Sequence, residues 1–577
     1  MLQVTISNNI RIRGASVPLR AAVTDALTVP NPAYIEAKKK NRGRNIYGLD
    51  AKLSLYTHEL GDLVVPRGFA HELQEIIRRH GTNPDKVITW NVNEGRPVDF
   101  GPWNPEVIPR DYQVPAIAAA IEKAGVLISP AGSGKTMMAW SVVHAWGVPA
   151  LWLTHTLELL KQSAEAAKKY MPGVGRVGII GDGKIEWGDG KVFVATVQTL
   201  ASNPTLVATL NSLIGALVID EAHHFPAIQF IETAGKFNAK YFLGVTATPK
   251  RKDFMEFYMY NGIGPACYEV ERAALHEAGN LVLPELRFVY TEHQRPTDEN
   301  AEDNVDAGGE DIRYNELIQD LVADDTRAAL VAENILESCI EASPQGGAVI
   351  VLADSIRYLF KLRDLVTEIA GPRLGGVIPR MAVVHGGISQ YTWKKAARGY
   401  GKSREAILDA NPGAVDARDH ATHGWQIKVE QYTDQEMEDW KVTGTDRKEI
   451  MAAAYSRKID IIFATGALAR EGLDMPHLSR GHLVTPSRGD ARISSNGASV
   501  EQSIGRIQRP DPQNPNKVAV WYDYVDFNVG IFQDQYYSRR SVYKRLGLVV
   551  PKKKKSHRDK VNDFLKGDFL NFGSLPL

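Results

Sequence analysis

Cysteine is nearly missing: the 577 residues hold only Cys267 and Cys339. Two isolated thiols exclude a disulfide framework and a cysteine-based zinc site, suit a reducing compartment, and are read as buried. An excess of one charge is missing too. Lys plus Arg and Asp plus Glu each total 68, so net charge advertises no polyanionic partner, and a basic track must come from local segregation. No apolar run approaches the ~20 residues of a membrane-spanning helix. The opening Met1-Leu2-Gln3-Val4-Thr5 lacks a signal peptide's charged and apolar regions. A soluble, cytoplasmic protein is expected.

What the chain does have is length, enough for roughly three to four domains, and charge in blocks. Lys38-Lys39-Lys40 with Arg42 and Arg44 is basic, Asp298 to Asp311 is acidic, and Lys552 to Lys555 with Arg558 and Lys560 makes a basic tail. Residues 1–105 read as a small α+β module: Leu19, Val23 and Leu27 recur at helical spacing, Leu53 and Leu55 alternate, and Phe69, Leu73, Ile76 and Ile77 mark a second amphipathic helix. Its basic loop, Lys38 to Arg44, is either a DNA contact or a solvated turn. Asn91 to Pro109, rich in Gly and Pro, reads as a linker.

Beyond Arg110, apolar runs alternate with helical stretches: Val126-Ile128, Ala150-Leu153, Val192-Ala195, Leu217-Ile219 and Phe242-Val245. Ala348-Leu352, Met381-Val384, Ile461-Ala464, His482-Val484 and Val518-Trp521 repeat the pattern. Such runs belong to parallel sheets buried on both faces, whose functional residues follow the strands. The fold class is α/β: two tandem parallel-sheet domains, 106–285 and 316–547, after the small module. An acidic linker (286–315), an insert at about 389–445 and a tail (548–577) complete the division.

Ser129-Pro130-Ala131-Gly132-Ser133-Gly134-Lys135-Thr136 lies between an apolar strand and a helix, the context a phosphate-binding loop requires. Glycines turn backbone amides toward phosphate oxygens, the helix N-terminus adds its dipole, Lys135 supplies a point charge and the Thr136 hydroxyl can ligate Mg²⁺. ATP and Mg²⁺ are the implied ligands. Downstream, Leu217-Val218-Ile219 ends in Asp220-Glu221-Ala222-His223-His224. Asp220 can hold the metal and Glu221 can polarise the attacking water.

On these residues the chain resembles the DEAH-like superfamily 2 helicases, in which two RecA-like domains close on ATP. The resemblance runs from about Arg110 to Arg545. It implies that Gln113, in Arg110-Asp111-Tyr112-Gln113, reads adenine. It also implies that Thr154 and His155, with Thr196, Gln198 and Thr199, hold a nucleic-acid backbone, and that Thr246 and Thr248, with His223, couple the nucleotide state to that grip. Ile350 to Asp354 occupies the place of a further motif. Thr465 and Gly466 would contact nucleic acid, and Asp474 the nucleotide. Gln502-Ser503-Ile504-Gly505-Arg506-Ile507-Gln508-Arg509 supplies Gln502 for coupling and Arg506 and Arg509 as arginine fingers. A guanidinium delivered on closure suits charge developing on the transferred phosphoryl group.

Thr248-Pro249-Lys250-Arg251-Lys252-Asp253 and Gly264 to Val270 resemble the XPB-type and UvsW-type duplex translocases, the latter phage proteins that would act in a bacterial host's cytoplasm. DNA, branched or forked, is the partner this resemblance implies, in replication, recombination or repair. The motor of a restriction or nuclease assembly and an RNA helicase are the alternatives. In the insert, Tyr391, Trp393, Lys394, Lys395, Arg398, Tyr400, Lys402 and Arg404 interleave aromatics with cations; packing is preferred to base stacking. His420 and His423 with Asp416 and Asp419 lack a metal-site frame.

Overall fold

Period-two burial at the N-terminus sets the first layer of this computed structural model. It describes residues 2–40, 48–130, 132–225, 228–247, 249, 255–294, 310–386, 391–396, 403–411, 413–420, 424–441, 444–466, 475–487 and 500–550. Strands Gln3–Ile6 and Asn9–Arg13 alternate exposed or partly exposed residues with buried ones. With Asp62–Pro66, Thr57–Glu59 and Ile88–Trp90 they form a five-stranded sheet. The helices Val17–Ala26 and Ala70–Arg79 bury Leu19, Val23, Leu73 and Ile77 in its core.

This module is fixed to the next layer. The buried Arg67 guanidinium donates to the carbonyls of Ser7 (3.0 Å) and Lys240 (2.8 Å) and lies 4.6 Å from the Phe242 ring centroid. A Cβ on Gly68 would stand 2.6 Å from the Tyr260 and Asn261 carbonyl oxygens, so only glycine permits this approach. The segment 91–109 has no helix or named strand, yet it is held down. Asn93 exchanges backbone hydrogen bonds with Asn238 and Lys240. Phe100 is 2% exposed, and Trp103 stacks on Tyr170.

The first large sheet has eight strands, in the order Lys184–Glu186, Gly178–Gly181, Val192–Thr196, Ala150–Thr154, Ala216–Asp220, Tyr241–Thr246, Gly125–Ile128 and Ala266–Glu269. All pairings are parallel except the first. Helices cover both faces, and Trp140 and Trp152 stack in one core with centroids 4.4 Å apart.

The second sheet has six parallel strands, in the order Glu285–Thr291, Val520–Asp526, Leu478–Leu483, Ala348–Ala353, Ile461–Thr465 and Met381–Val384. Here the chain departs from expectation. Residues 286–291, assigned above to an acidic linker, form an edge strand paired along its length with Val520–Asp526. The strand mixes Glu285, Arg287 and Thr291 with Leu286, Phe288, Val289 and Tyr290, and four of its seven residues are only partly buried, as at the edge of a sheet. The fully buried strand Leu478–Leu483 begins before the apolar run read as His482–Val484 because it carries Ser479, Arg480 and His482 inward. His482 lies between the Ser338 hydroxyl (2.8 Å) and the Tyr524 hydroxyl (3.0 Å); burial pushes its pKa down to about 3, leaving it neutral.

A buried ion pair ties this sheet to its helices. Arg327 donates to both Asp526 oxygens (2.7 and 3.0 Å), the Tyr358 hydroxyl and the Val484 carbonyl. Removing one partner from such a pair costs ~3–5 kcal/mol. The insert folds as its own three-stranded antiparallel sheet, Tyr391–Lys395, Gly424–Glu430 and Ala414–His420, around Ala396, Ile407, Ala417 and Ile427. Trp440 stacks on Phe360 at 4.9 Å and Arg357 pairs with Glu436, joining the insert to the second sheet's helices. Asp416 is paired with Arg404. Arg398, Tyr400, Lys402, His423, Arg42, Arg44, most of the acidic stretch and the tail from Pro551 lie outside the described residues.

Candidate active site

The loop after strand Gly125–Ile128 is shaped from within. Ser129 and Ser133, both buried, join their hydroxyls at 2.5 Å. The Ser133 carbonyl accepts hydrogen bonds from Gln113 Nε2 (2.7 Å) and the Tyr112 hydroxyl (3.1 Å). Gln113 Oε1 in turn accepts from the Arg110 N–H at 2.8 Å. Gly132 and Gly134 have φ of 81° and 82°, and a Cβ on Gly134 would lie 2.6 Å from Gln113 Nε2. The structure thus brings Gln113 against the loop. Helix Lys135–Trp146 starts at once, so its unsatisfied N–H groups and positive dipole end stand behind the loop. Beside it opens a pocket of about 440 Å³ lined by Arg110, Gln113, Gly132, Gly134, Met137 and Tyr170 among others.

Strand Ala216–Asp220 delivers the carboxylates to the same edge, between Ala150–Thr154 and Tyr241–Thr246. Asp220 is buried. Burial and the neighbouring Glu221 charge push its pKa up to about 6, against the opposing pull of Lys135. Burial also acts to raise Glu221, but Lys135 and His223 outweigh it and hold this carboxyl below its usual range. Lys135 Nζ lies 3.2 Å from Glu221 Oε1, and His223 Nδ1 lies 3.4 Å from Glu221 Oε2. Glu221 itself has φ of 47° and donates its N–H to Asp220 Oδ1 at 2.9 Å. A non-glycine residue in left-handed backbone is uncommon and marks stored strain. Two close carboxyls with divided proton affinities, and a hydroxyl one residue beyond Lys135, are the hard-oxygen donors a Mg²⁺ ion takes. Asp220 and Thr136 therefore fit that ion.

His223 Nδ1 is also 3.1 Å from Thr246 Oγ1, at the end of the adjacent strand. Thr154 is fully buried and turns its hydroxyl to the Thr156 carbonyl. Thr196 and Thr199 share a hydroxyl hydrogen bond of 2.9 Å, and Gln198 Nε2 donates to the His155 carbonyl at 3.0 Å. These residues gather beyond the strand ends, next to the carboxylates. Thr465 ends strand Ile461–Thr465, and Gly466 lines a small pocket with Asp354, Thr485 and Ser503. Ala131, Thr248 and Asp474 lie outside the described residues.

The second sheet presents its arginines to the first. Helix Val500–Gly505 carries Gln502 and ends immediately before Arg506, which burial pushes below its ordinary pKa and which Glu221 attracts. Arg509 Cγ is 4.0 Å from where a Cβ would stand on Gly132. The Arg509 carbonyl accepts from the buried Lys517 Nζ at 2.7 Å. Lys517 and Arg272 were not singled out from sequence; Arg272 meets Glu501 across a long separation, and no local pattern marks it.

Tandem parallel sheets, one offering a glycine loop and paired carboxylates and the other arginines, make an arrangement suited to binding a nucleoside triphosphate and transferring its terminal phosphoryl group. Comparison with known proteins narrows this: residues 106–251 match the family described as "Type III restriction enzyme, res subunit". They form a helicase-family domain homologous to XPB-type DNA helicases and to phage helicases. "DNA 3'-5' translocase XPB2" of Sulfurisphaera tokodaii is 34% identical over 163 residues, 28% of this chain and 35% of that one. "Probable helicase D10" of Escherichia phage T5 is 27% identical over 150 residues, 25% of this chain and 32% of that one. The matches span about a third of these relatives' length. Among solved structures, T4 UvsW aligns over 94% of this chain and 97% of its own, at 13% identity and a TM-score of 0.34. No helix among the described residues is long and apolar enough to cross a membrane.

Proposed function

We propose that the chain is an ATP-dependent DNA helicase or translocase that acts on forked or branched duplex DNA, in replication, recombination or repair. The observation that carries this is the approach of Arg506 and Arg509 to Glu221 and Gly132 across the two sheets. Neither arginine has a use beside a phosphate loop unless phosphoryl transfer is completed by closure. Gly132 and Gly134 offer backbone N–H groups, and Lys135 exchanges its Glu221 contact for the phosphates. Glu221, released from Lys135, takes the proton of the attacking water. Arg506 and Arg509 then stabilise charge on the phosphoryl oxygens. A Mg²⁺ ion held by Thr136 and Asp220 would supply further charge neutralisation.

The DNA assignment draws on the XPB and phage relatives, whose names specify DNA or helicase. Phosphate-backbone contacts alone would not separate DNA from RNA. The test is ATP turnover by the full chain with no nucleic acid, single-stranded DNA, blunt duplex, forked duplex and RNA. Forked DNA is expected to stimulate most; stimulation by RNA above every DNA would replace this reading. Glu221→Gln should keep ATP affinity and lower kcat by at least roughly 100-fold, as loss of a general base does. A Gln variant with near-normal turnover would reject Glu221 as the base.

A further inference from the structure

Three histidine rings stand in file between the candidate nucleic-acid edge of the first sheet and its catalytic carboxylate. His155 follows strand Ala150–Thr154, and its carbonyl is held by Gln198 from helix Val197–Ala201. Its ring packs on that of His224, centroids 4.3 Å apart and planes at 39°. The opposite neighbour of His224 is His223, again at 4.3 Å and 37°. His223 then reaches Thr246 Oγ1 at 3.1 Å and Glu221 Oε2 at 3.4 Å. His223 and His224 sit on the short turn Ala222–His224, directly after the left-handed Glu221.

We propose that His155, His224 and His223 form a contact relay that sets the orientation of the Glu221 carboxylate according to whether nucleic acid occupies the loop after strand Ala150–Thr154. Rings at this separation leave no gap, so His155 cannot shift without moving His224, and His224 cannot shift without moving His223. The last ring touches the carboxylate that must turn from Lys135 toward water. Glu221 is an apt receiver because its backbone is already strained: a small displacement of the turn changes the balance between its two contacts. His224 is the positioning residue at the centre. Its ring neighbours His155 and His223 belong to different loops. Gln198, by holding the His155 carbonyl, ties in the next loop, so two of the strand ends that would meet a phosphate backbone converge on His155.

The relay rests on the helicase reading, and its test separates the two. In the full chain, ATP turnover is measured for wild type, His224→Ala, His224→Leu and His224→Phe, with and without saturating forked duplex, and duplex affinity is measured by fluorescence anisotropy. A wild type that no nucleic acid stimulates overturns the functional reading and the relay with it. Given a stimulated wild type, His224→Ala and His224→Leu should lower the ratio of stimulated to basal kcat roughly 5- to 10-fold, within the usual range of coupling between sites. ATP KM and duplex affinity should stay near wild type. His224→Phe, which keeps a flat ring, should recover at least half of the ratio. If His224→Ala fails to fold, the comparison of Leu with Phe carries the same decision. The relay is overturned if the ratio is unchanged, if Phe is no better than Leu, or if weaker duplex binding accounts for the whole loss. A merely structural ring would lower stability and both rates together, leaving the ratio where it was.

Discussion

Lys517 carries an amine into a site only 7% exposed, where Nζ meets the carbonyls of Pro476 and Arg509, each at 2.7 Å. Burial pushes its pKa down from 10.5 to about 7; Asp511 opposes this, while Arg509 and Arg457 add to it. A neutral amine still has two N–H groups, enough for both carbonyls. The sign of the pH dependence follows. Between pH 7 and 10.5 the unfolded chain binds a proton that the folded chain does not, so stability rises with pH across that window. Below pH 7 the cost of the buried charge is felt in full. Urea unfolding of wild type and Lys517→Met should therefore show the wild type gaining on the variant between pH 7 and pH 10, by up to ~4 kcal/mol. A gap that does not change with pH would mean that Lys517 is charged throughout.

At the scale of elements, the contact between the two sheets rests on a short helix from each side. Helix Arg272–Glu277 follows the edge strand of the first sheet and buries Leu275 in the first core. From it Arg272 donates to Glu501 Oε1 at 2.9 Å, and Arg545 donates to Glu501 Oε2 at 3.0 Å. Arg272 also reaches Gln508 Oε1 at 3.4 Å, in the segment that carries Arg506 and Arg509. The pair is largely covered, with side chains 18% and 13% exposed, so solvent screens it less than a surface ion pair. Arg272→Ala and Glu501→Ala are each expected to lower kcat/KM for ATP roughly 5- to 20-fold, and the double variant no further than the worse single, as for residues that act as one unit. Additive losses in that cycle would show that the contact does not hold the arginines in place.

Such pairings also explain what the sequence could and could not disclose. Val126-Ile128 and Leu217-Ile219 are legible as strands because a parallel strand covered on both faces must be apolar along its length. The phosphate loop and Asp220-Glu221 are legible because their chemistry depends on local spacing. Glu285–Thr291 is an edge strand that mixes charged and apolar residues without a clean period and runs into an acidic stretch, so its sequence does not stand out as a strand. Leu478–Leu483 hides because it buries polar residues, two of which meet partners far along the chain, Ser338 for His482 and Val518 for Arg480. Arg272–Glu501 and His155–His224 are of the same kind. No window of a few residues contains either partner's reason for being there.

For the whole molecule, the question is how the N-terminal module and the motor divide their work. From sequence, residues 1–105 form one removable unit whose loss would spare ATP turnover and abolish a preference for junctions. The packing argues for an earlier cut. Arg67 and Gly68 dock the module on the first sheet, but the chain from Asn91 onward already belongs to that sheet: Asn93 bridges to Ala239, and Phe100 lies in the first core. Trp103 stacks on Tyr170, a wall of the pocket beside the phosphate loop, and Asn104 lines the same pocket. Removing a buried phenylalanine costs ~3–5 kcal/mol, and here the loss falls next to the nucleotide pocket. A chain starting at Asn91, with Phe257 changed to a polar residue where the module had covered it, should keep ATP KM within about 3-fold of the full chain. It should also lose any preference for forked over blunt duplex, since binding by the core alone is electrostatic and blind to structure. A chain starting at Glu106 should instead raise ATP KM by about 10-fold or more and melt earlier, because the loss of the Phe100 and Trp103 contacts acts on the pocket itself. Steady-state kinetics on both truncations decides the matter. Equal KM values for the two would show that residues 91–105 are a passive tether, and a persistent fork preference in the shorter chains would move junction recognition out of the module and into the two sheets.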